Sequence, residues 1–238
     1  MMKQLFALFA ALVGLVGQAV LVLFLLDVPV VGVNQGGVVS APMAAAINLG
    51  LLFLFALPHS VMARPAFKRR WRALVPDALE RAVYILMSGA LLTAVCVYWQ
   101  PLPGVIWSVE SGVLQAVIYA LFASGLGFLF WAILSIDFLH FHGLRQAFSA
   151  QSSEPPFAVH GPYRIVRHPI QTGLIVALWA TPHLTVGQAL FAAVLTGYSV
   201  LATLKLEERD LRAGIGDAYD RYRSKVPALI PGPRIWRD

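Results

Sequence analysis

The chain has 238 residues, of which 58% are hydrophobic and 13% charged, and its formal net charge is +6. Its mean hydropathy is +0.72. Soluble domains carry about 25% charged residues, so the composition excludes an ordinary soluble domain and indicates an integral membrane protein.

The first apolar stretch, Leu5–Leu26, has 22 residues. A signal-peptide core has about 7–15, so the stretch reads as a membrane helix. Met43–Met62 follows, and then the basic loop "RPAFKRRWRALVPD". Ala82–Tyr98 contains the single Cys96, which can form no intrachain disulfide and reads as a small buried hydrophobe. Trp99 and Trp107 flank the next loop as interfacial aromatics. Val113–Ile136 carries "ASGLG", where the spacing of Ala123 and Gly127 predicts close helix packing. These stretches and Val186–Leu204 hold 17 to 24 residues each, and about 17–25 suffice to cross a bilayer. A sixth stretch, Ile170–Pro182, has 13 residues. As a helix it reaches only about 20 Å against a hydrocarbon core of about 30 Å. It is expected to be a tilted or re-entrant arm, paired with Val186–Leu204 through "TPHLTVG". The long break, Asp137–Pro169, runs from "DFLHFHGLRQAF" through the turn-rich "SAQSSEPPF" to "HGPYRIVRHP". The fold class is therefore all-α: about five transmembrane helices and a short hairpin arm in one membrane domain, 1–238. Residues 1–136 form its helical scaffold, and 137–238 carry most of its unusual polar residues.

Every one of the 18 lysines and arginines lies before the first stretch, in loop 63–81, in loop 137–169 or after residue 204. Loops rich in Lys and Arg stay cytoplasmic, so both termini are expected on the cytoplasmic side of a bacterial inner membrane. That face also suits contact with anionic membrane lipid. Nucleic acid is not an expected partner, because the basic residues are distributed around helix ends. Oligomeric state is not legible in the sequence.

His59, Asp137, His140, His142, His160, Tyr163, Arg164, Arg167, His168, Glu207, Glu208 and Arg209 all fall toward that same face, from four parts of the chain. Only Asp27, Glu110 and His183 lie toward the other. Ionisable groups near membrane depth are costly and point to a functional site. Each also has a plainer reading. Arg164 and Arg167 suit topology anchors, and "EERD" suits a polar boundary in which Glu208 and Arg212 pair along a helix. His140 and His142 are two apart and would face different ways on a helix, which is poor metal spacing; no metal is expected.

One ordered set is harder to assign to anchoring alone: Gly161–Tyr163, Arg167-His168-Pro169, an apolar hairpin, Glu207-Glu208, Tyr219 and Tyr222, and Val226-Pro227. Over about 80 residues it resembles the C-terminal half of the isoprenylcysteine carboxyl methyltransferase and phospholipid methyltransferase group, small membrane enzymes that use S-adenosylmethionine. Gln171 departs from the pattern, in which many relatives carry tyrosine. "LPHSVMARPAFKRRW", "WQPLPGVIW" and "DFLHFHGLRQAF" resemble a narrower branch, the bacterial methanethiol S-methyltransferases, which form dimethyl sulfide.

The resemblance implies an S-adenosylmethionine-dependent methyltransferase acting on a small thiol, with the cofactor pocket at the cytoplasmic face. The cofactor set it implies is His160, Tyr163, Arg167, His168, Pro169, Glu207, Glu208 and Tyr222. Arg167 would fork onto the methionine carboxylate. Glu207 or Glu208 would accept from ribose hydroxyls or the α-ammonium, and Tyr163 and Tyr222 would flank adenine or the cation. His59 and His140 are candidate bases for the thiol proton. The rivals are methylation of a lipid or of a prenylated cysteine, whose carboxylate Arg164 or Arg145 would meet, and a non-enzymatic membrane protein of nitrogen-oxide metabolism.

Overall fold

The computed structural model describes residues 1–37, 39–149 and 157–232. The turn-rich segment 150–156 and the last six residues lie outside the described set. Five helical segments are long and apolar enough to cross a membrane: Met2–Leu25, Ala41–Met62, Asp77–Tyr98, Gly112–Ile136 and Val186–Ile215. These are the five stretches expected from hydropathy. The chain divides into two compact units, each built from separate segments of sequence.

The first unit contains residues 1–108, 139–153 and 183–191. Helices α1 (Met2–Leu25) and α4 (Asp77–Tyr98) form its main packed pair. The reason is small residues. Ala7, Ala10, Ala11, Gly14 and Gly17 are the buried positions over most of α1. A Cβ on Gly17 would stand 2.7 Å from the Gly89 carbonyl oxygen, and one on Gly89 would stand 2.6 Å from that of Val13. The backbones approach this closely only because neither residue has a side chain, the usual device of helix pairs in lipid. Helix α2 (Ala41–Met62) also packs on α4, and α3 (Pro65–Trp71) follows it. Asn48 ties α2 to the end of α4 with two 2.8 Å hydrogen bonds, donating to the Gln100 carbonyl and accepting from the Gln100 N–H.

A two-stranded ladder completes this unit, where the sequence suggested only loops. Strand β1 (Val105–Ser108) pairs antiparallel with β2 (His183–Thr185). β-Branched and aromatic residues in "VIWS" suit an extended segment, and the pairing satisfies backbone groups that a loop would leave to water.

The second unit contains residues 109–138, 154–182 and 192–238. Helix α5 (Gly112–Ile136) ends at Asp137, which has φ 129°. Two short helices, α6 (Phe138–Phe141) and α7 (Leu144–Phe148), come next in the chain, and residues 139–148 belong to the first unit. Helix α8 (Pro169–Trp179) has 11 residues, or about 16 Å at 1.5 Å per residue, so it is short as expected. Its principal packing partner is α5, not the following helix as the sequence suggested. Gly125 and Gly173 explain this: a Cβ on Gly173 would lie 2.4 Å from the Gly125 carbonyl oxygen. The expectation for Ala123 and Gly127 fails for the same reason. Both are exposed, and the buried face of α5 carries Phe122 and Gly125 instead.

Helix α9 (Val186–Leu201) does not stop before Glu207 as expected. It continues through a π-helical segment, Ala202–Glu207, into α10 (Glu208–Ile215), and α11 (Asp217–Lys225) follows. π-Turns within helices are rare and concentrate at functional sites. This one separates the two adjacent glutamates, with Glu207 its last residue and Glu208 the first of α10.

Candidate active site

Within the second unit, "HGPYRIVRHP" becomes a 3-10 turn, Gly161–Arg164, followed by the start of α8. The left-handed φ of Gly161, 55°, opens the turn. Its position is tight: a Cβ there would meet Ser135 Oγ at 2.6 Å. His160 donates from Nε2 to the Ser135 carbonyl and so fastens the turn to the end of α5. Pro169 occupies the first turn of α8, where its missing N–H costs nothing.

Arg167 and His168 meet Glu208. The Glu208 carboxylate accepts on Oε1 from Arg167 Nε at 2.9 Å, Arg167 Nη2 at 2.5 Å and His168 Nε2 at 3.1 Å. Its Oε2 lies 3.2 Å from Arg223 Nε. Glu208 is 4% exposed and His168 3%. Such a carboxylate is stable at this depth only because two guanidinium groups and an imidazole surround it. The helical ion pair expected between Glu208 and Arg212 is absent; Arg212 Nε instead donates to Asp220 Oδ1 at 2.8 Å.

The remaining donors of Arg167 go to the tail. Nη1 donates to the Val226 carbonyl and, at 3.2 Å, to that of Arg223. Further donors continue the contact: Arg167 N–H to the Pro227 carbonyl at 2.9 Å, His168 N–H to that of Ala228 at 3.1 Å, and the Thr172 hydroxyl to that of Leu229 at 2.7 Å. The tail thus lies along residues 167–172. Tyr219, Tyr222 and Val226 form a buried cluster against Val159, Leu211 and Ile215, and the Tyr222 hydroxyl donates to the Tyr163 carbonyl at 2.7 Å. Burial raises the Tyr163 and Tyr222 phenols and pushes Tyr219 up to about 12. All three phenols therefore stay neutral near pH 7. Arg223 and Thr172 were not singled out in the sequence. The signal for Arg223 was its place beside Tyr222 on a tail helix.

Glu207 differs from its neighbour. Its side chain is 41% exposed, and its nearest ionic partner is His168 Nδ1 at 3.8 Å, too far for a hydrogen bond. Glu207 Oε2 and His168 Nδ1 face the same space. The open carboxylate suits a ligand that donates, such as a hydroxyl or an ammonium. A separate cavity of about 160 Å³ is lined by Leu204, Glu208, Arg209, Arg212 and Arg223. Ligand pockets start near 300 Å³, so this cavity alone is too small for a nucleoside-sized ligand.

The first unit has a polar cluster of its own. His59 Nδ1 lies 3.0 Å from Ser88 Oγ, and its Nε2 lies 3.0 Å from the Tyr84 hydroxyl. Its ring stacks on Phe55. The Arg81 guanidinium sits over the rings of Tyr84 and Phe141, 5.2 Å from each centroid. His140 Nδ1 accepts from Gln146 Nε2 at 3.1 Å, and the fully buried His142 faces Gln18. Among the described residues, no group of three His, Cys, Asp or Glu could hold a metal ion.

A family model described as NnrU protein matches residues 48–228. The chain belongs to the NnrU protein family. The matched span contains Arg167, His168, both glutamates and the tail to Ala228, the residue whose carbonyl receives the His168 N–H. Among curated relatives, the chain is 42% identical over 201 residues to a methanethiol S-methyltransferase of Mycobacterium tuberculosis, covering 82% of each chain. It is 40% identical over 207 residues to methanethiol S-methyltransferase 2 of Bradyrhizobium diazoefficiens, covering 84% of this chain and 78% of that one. It is also 30% identical over 179 residues to nurim of Sus scrofa, covering 70% and 68%. No solved structure matches.

Proposed function

We propose that this member of the NnrU family is a membrane methyltransferase that transfers the methyl group of S-adenosylmethionine to methanethiol, giving dimethyl sulfide. The names of the relatives at 42% and 40% identity support the chemistry. The observation in this chain that supports the cosubstrate is the exposed Glu207 carboxylate beside His168 Nδ1, an acceptor matched to the ammonium or ribose hydroxyls. When bound, S-adenosylmethionine supplies an electrophilic methyl group on a sulfonium.

The residues divide their work. Glu207 accepts from the cosubstrate, and His168 lies beside it at the methionyl part. Arg167 has its fork committed to Glu208 and the tail, so it holds the pocket wall in place instead of forking onto the methionine carboxylate. Glu208 and Arg223 complete that support. Tyr163 and Tyr222 are joined by a hydrogen bond and bear on the adenine side through the position of the 161–164 turn. His160 and Pro169 set the two ends of the motif. In this functional division, 137–238 binds the cosubstrate and 1–136 is the helical membrane scaffold.

Methanethiol is small and apolar and can arrive through lipid, so it requires no polar recognition group. Even a cysteine-like thiol, with a pKa of about 8.5, is only a few per cent thiolate at pH 7, and a simple alkyl thiol is less ionised still. Deprotonation is therefore the chemical demand on the protein. His59, whose ring nitrogens meet Ser88 and Tyr84, and His140 are the candidate bases. The remaining advantage comes from aligning thiolate, methyl carbon and leaving sulfur, and alignment of this kind supplies roughly 7–11 kcal/mol. Both termini face the cytosol, where the cosubstrate is made, and the membrane is the bacterial inner membrane.

The test is direct. Purified protein is incubated with S-adenosylmethionine and either methanethiol or a farnesylated cysteine analogue, and headspace dimethyl sulfide and lipid methyl ester are followed. The reading requires dimethyl sulfide formation that is lost in Glu207→Gln. Methyl ester without dimethyl sulfide would transfer the assignment to carboxyl methylation of a lipid-like substrate.

A further inference from the structure

We propose that α3 is a docking site for anionic phospholipid headgroups, with Arg69 and Arg70 as its cationic contacts and Phe67, Trp71 and Leu74 as its apolar anchor. The argument begins with chain position. Helices α2 and α4 are both long and apolar enough to cross the membrane, and the first ends at Met62 while the second starts at Asp77. The 14 residues between them are therefore confined to the bilayer surface. Among them are Arg64, Lys68, Arg69, Arg70 and Arg72, with no acidic residue.

The faces of α3 do different things. Arg64, Lys68 and Arg72 share one face at i, i+4, i+8 and are already engaged: Arg64 Nε donates to the Ser60 carbonyl at 3.1 Å, Lys68 pairs with Glu80 at 3.0 Å, and Arg72 pairs with Asp77 at 3.1 Å. Phe67 and Trp71 share a second face at i, i+4, and Leu74 follows in the turn after the helix. The Phe67 and Trp71 rings stack with centroids 5.2 Å apart, and Leu74 is 77% exposed. A stacked aromatic pair on a surface-confined helix and a bare leucine just after it are the apolar half of an interfacial segment. Arg69 and Arg70 are the remaining basic residues. Both are exposed, and no hydrogen bond or ion pair involves either among the described residues. The acidic residues Asp77 and Glu80 that could neutralise this segment are taken by Arg72 and Lys68. Arg69 and Arg70, on consecutive positions of a helix that also carries an apolar anchor, project in different directions and suit the phosphodiesters of separate lipids around it. Guanidinium binds such a phosphate with two parallel donors.

The readout is independent of methyl transfer. Full-length protein is exchanged into mixed micelles of phosphatidylcholine and phosphatidylglycerol and separated from free micelles, and the lipid retained is quantified. The wild type should retain phosphatidylglycerol in preference to phosphatidylcholine, and rising salt should erode the preference. Each arginine should contribute about fivefold, equivalent to about 1 kcal/mol for a basic residue at a membrane surface. The double variant Arg69→Gln/Arg70→Gln should therefore lose most of the preference. Lys3→Gln/Arg221→Gln removes the same charge elsewhere and should keep it. An unchanged preference in the α3 variant, equal loss in the charge-matched control, or no salt dependence in the wild type would each overturn the proposal.

Discussion

Arg167 holds Glu208 through two guanidinium nitrogens, Nε at 2.9 Å and Nη2 at 2.5 Å, while its third nitrogen grips the carbonyls of Arg223 and Val226. One side chain thus joins the start of α8, the start of α10 and the C-terminal tail. The arrangement separates Glu208, which is spent on structure, from Glu207, which is not.

That separation predicts different phenotypes for two adjacent glutamates. Glu208→Gln leaves the buried Arg167, and the more exposed Arg223, beside a neutral amide. Breaking a buried pair by removing one partner typically costs about 3–5 kcal/mol, so the melting temperature in detergent should fall sharply. Glu207→Gln alters an exposed side chain and should melt close to the wild type, yet lose S-adenosylmethionine affinity by tenfold or more in isothermal titration. Equal destabilisation by both variants would contradict the division.

The crossing of α5 and α8 depends on the lack of side chains at Gly125 and Gly173. Gly173→Ala places a methyl 2.4 Å from a carbonyl oxygen, and the backbones must separate. Overpacking of this kind costs about 1–3 kcal/mol. Gly127→Ala, with nothing within 4 Å of its added carbon, should leave the thermal midpoint within error.

The buried tail phenols predict a loss of stability in alkali. An exposed tyrosine ionises near 10, whereas burial holds Tyr219 at about 12. Below pH 10 both folded and unfolded chains keep the proton, and the contribution is complete. From about pH 10 to 12 the unfolded chain releases it first, so stability falls as pH rises. Tyrosinate absorbance should therefore appear together with loss of the tail's protection from protease, and Tyr219→Phe should weaken the coupling.

The distribution of basic residues predicts topology. A periplasm-active reporter fused after Asp238 should be inactive, and the same reporter inserted in loop 99–112 should be active. An active C-terminal fusion would reverse the orientation.

Much of this protein was determined by composition and local pattern. Apolar runs long enough to cross lipid must be helical, because hydrocarbon offers no partner for a free backbone group; the five spans follow from that alone. The start of α8 at Pro169 and its shortness also follow locally, from proline geometry and run length. Tertiary structure decided what depends on residues distant in the chain. Spacing could not show that Gly125, not Ala123 or Gly127, meets α8, because packing depends on which face the partner offers. Nor could it show that β1 finds β2, since a four-residue strand has no stability without its pair. Adjacent glutamates read alike in sequence; the π-helical segment and the arrival of Arg167, His168 and Arg223 made one of them structural and left the other open. Arg167 itself read as a ligand contact because a guanidinium fork suits a carboxylate, and the folded chain placed a carboxylate of its own, Glu208, within that fork.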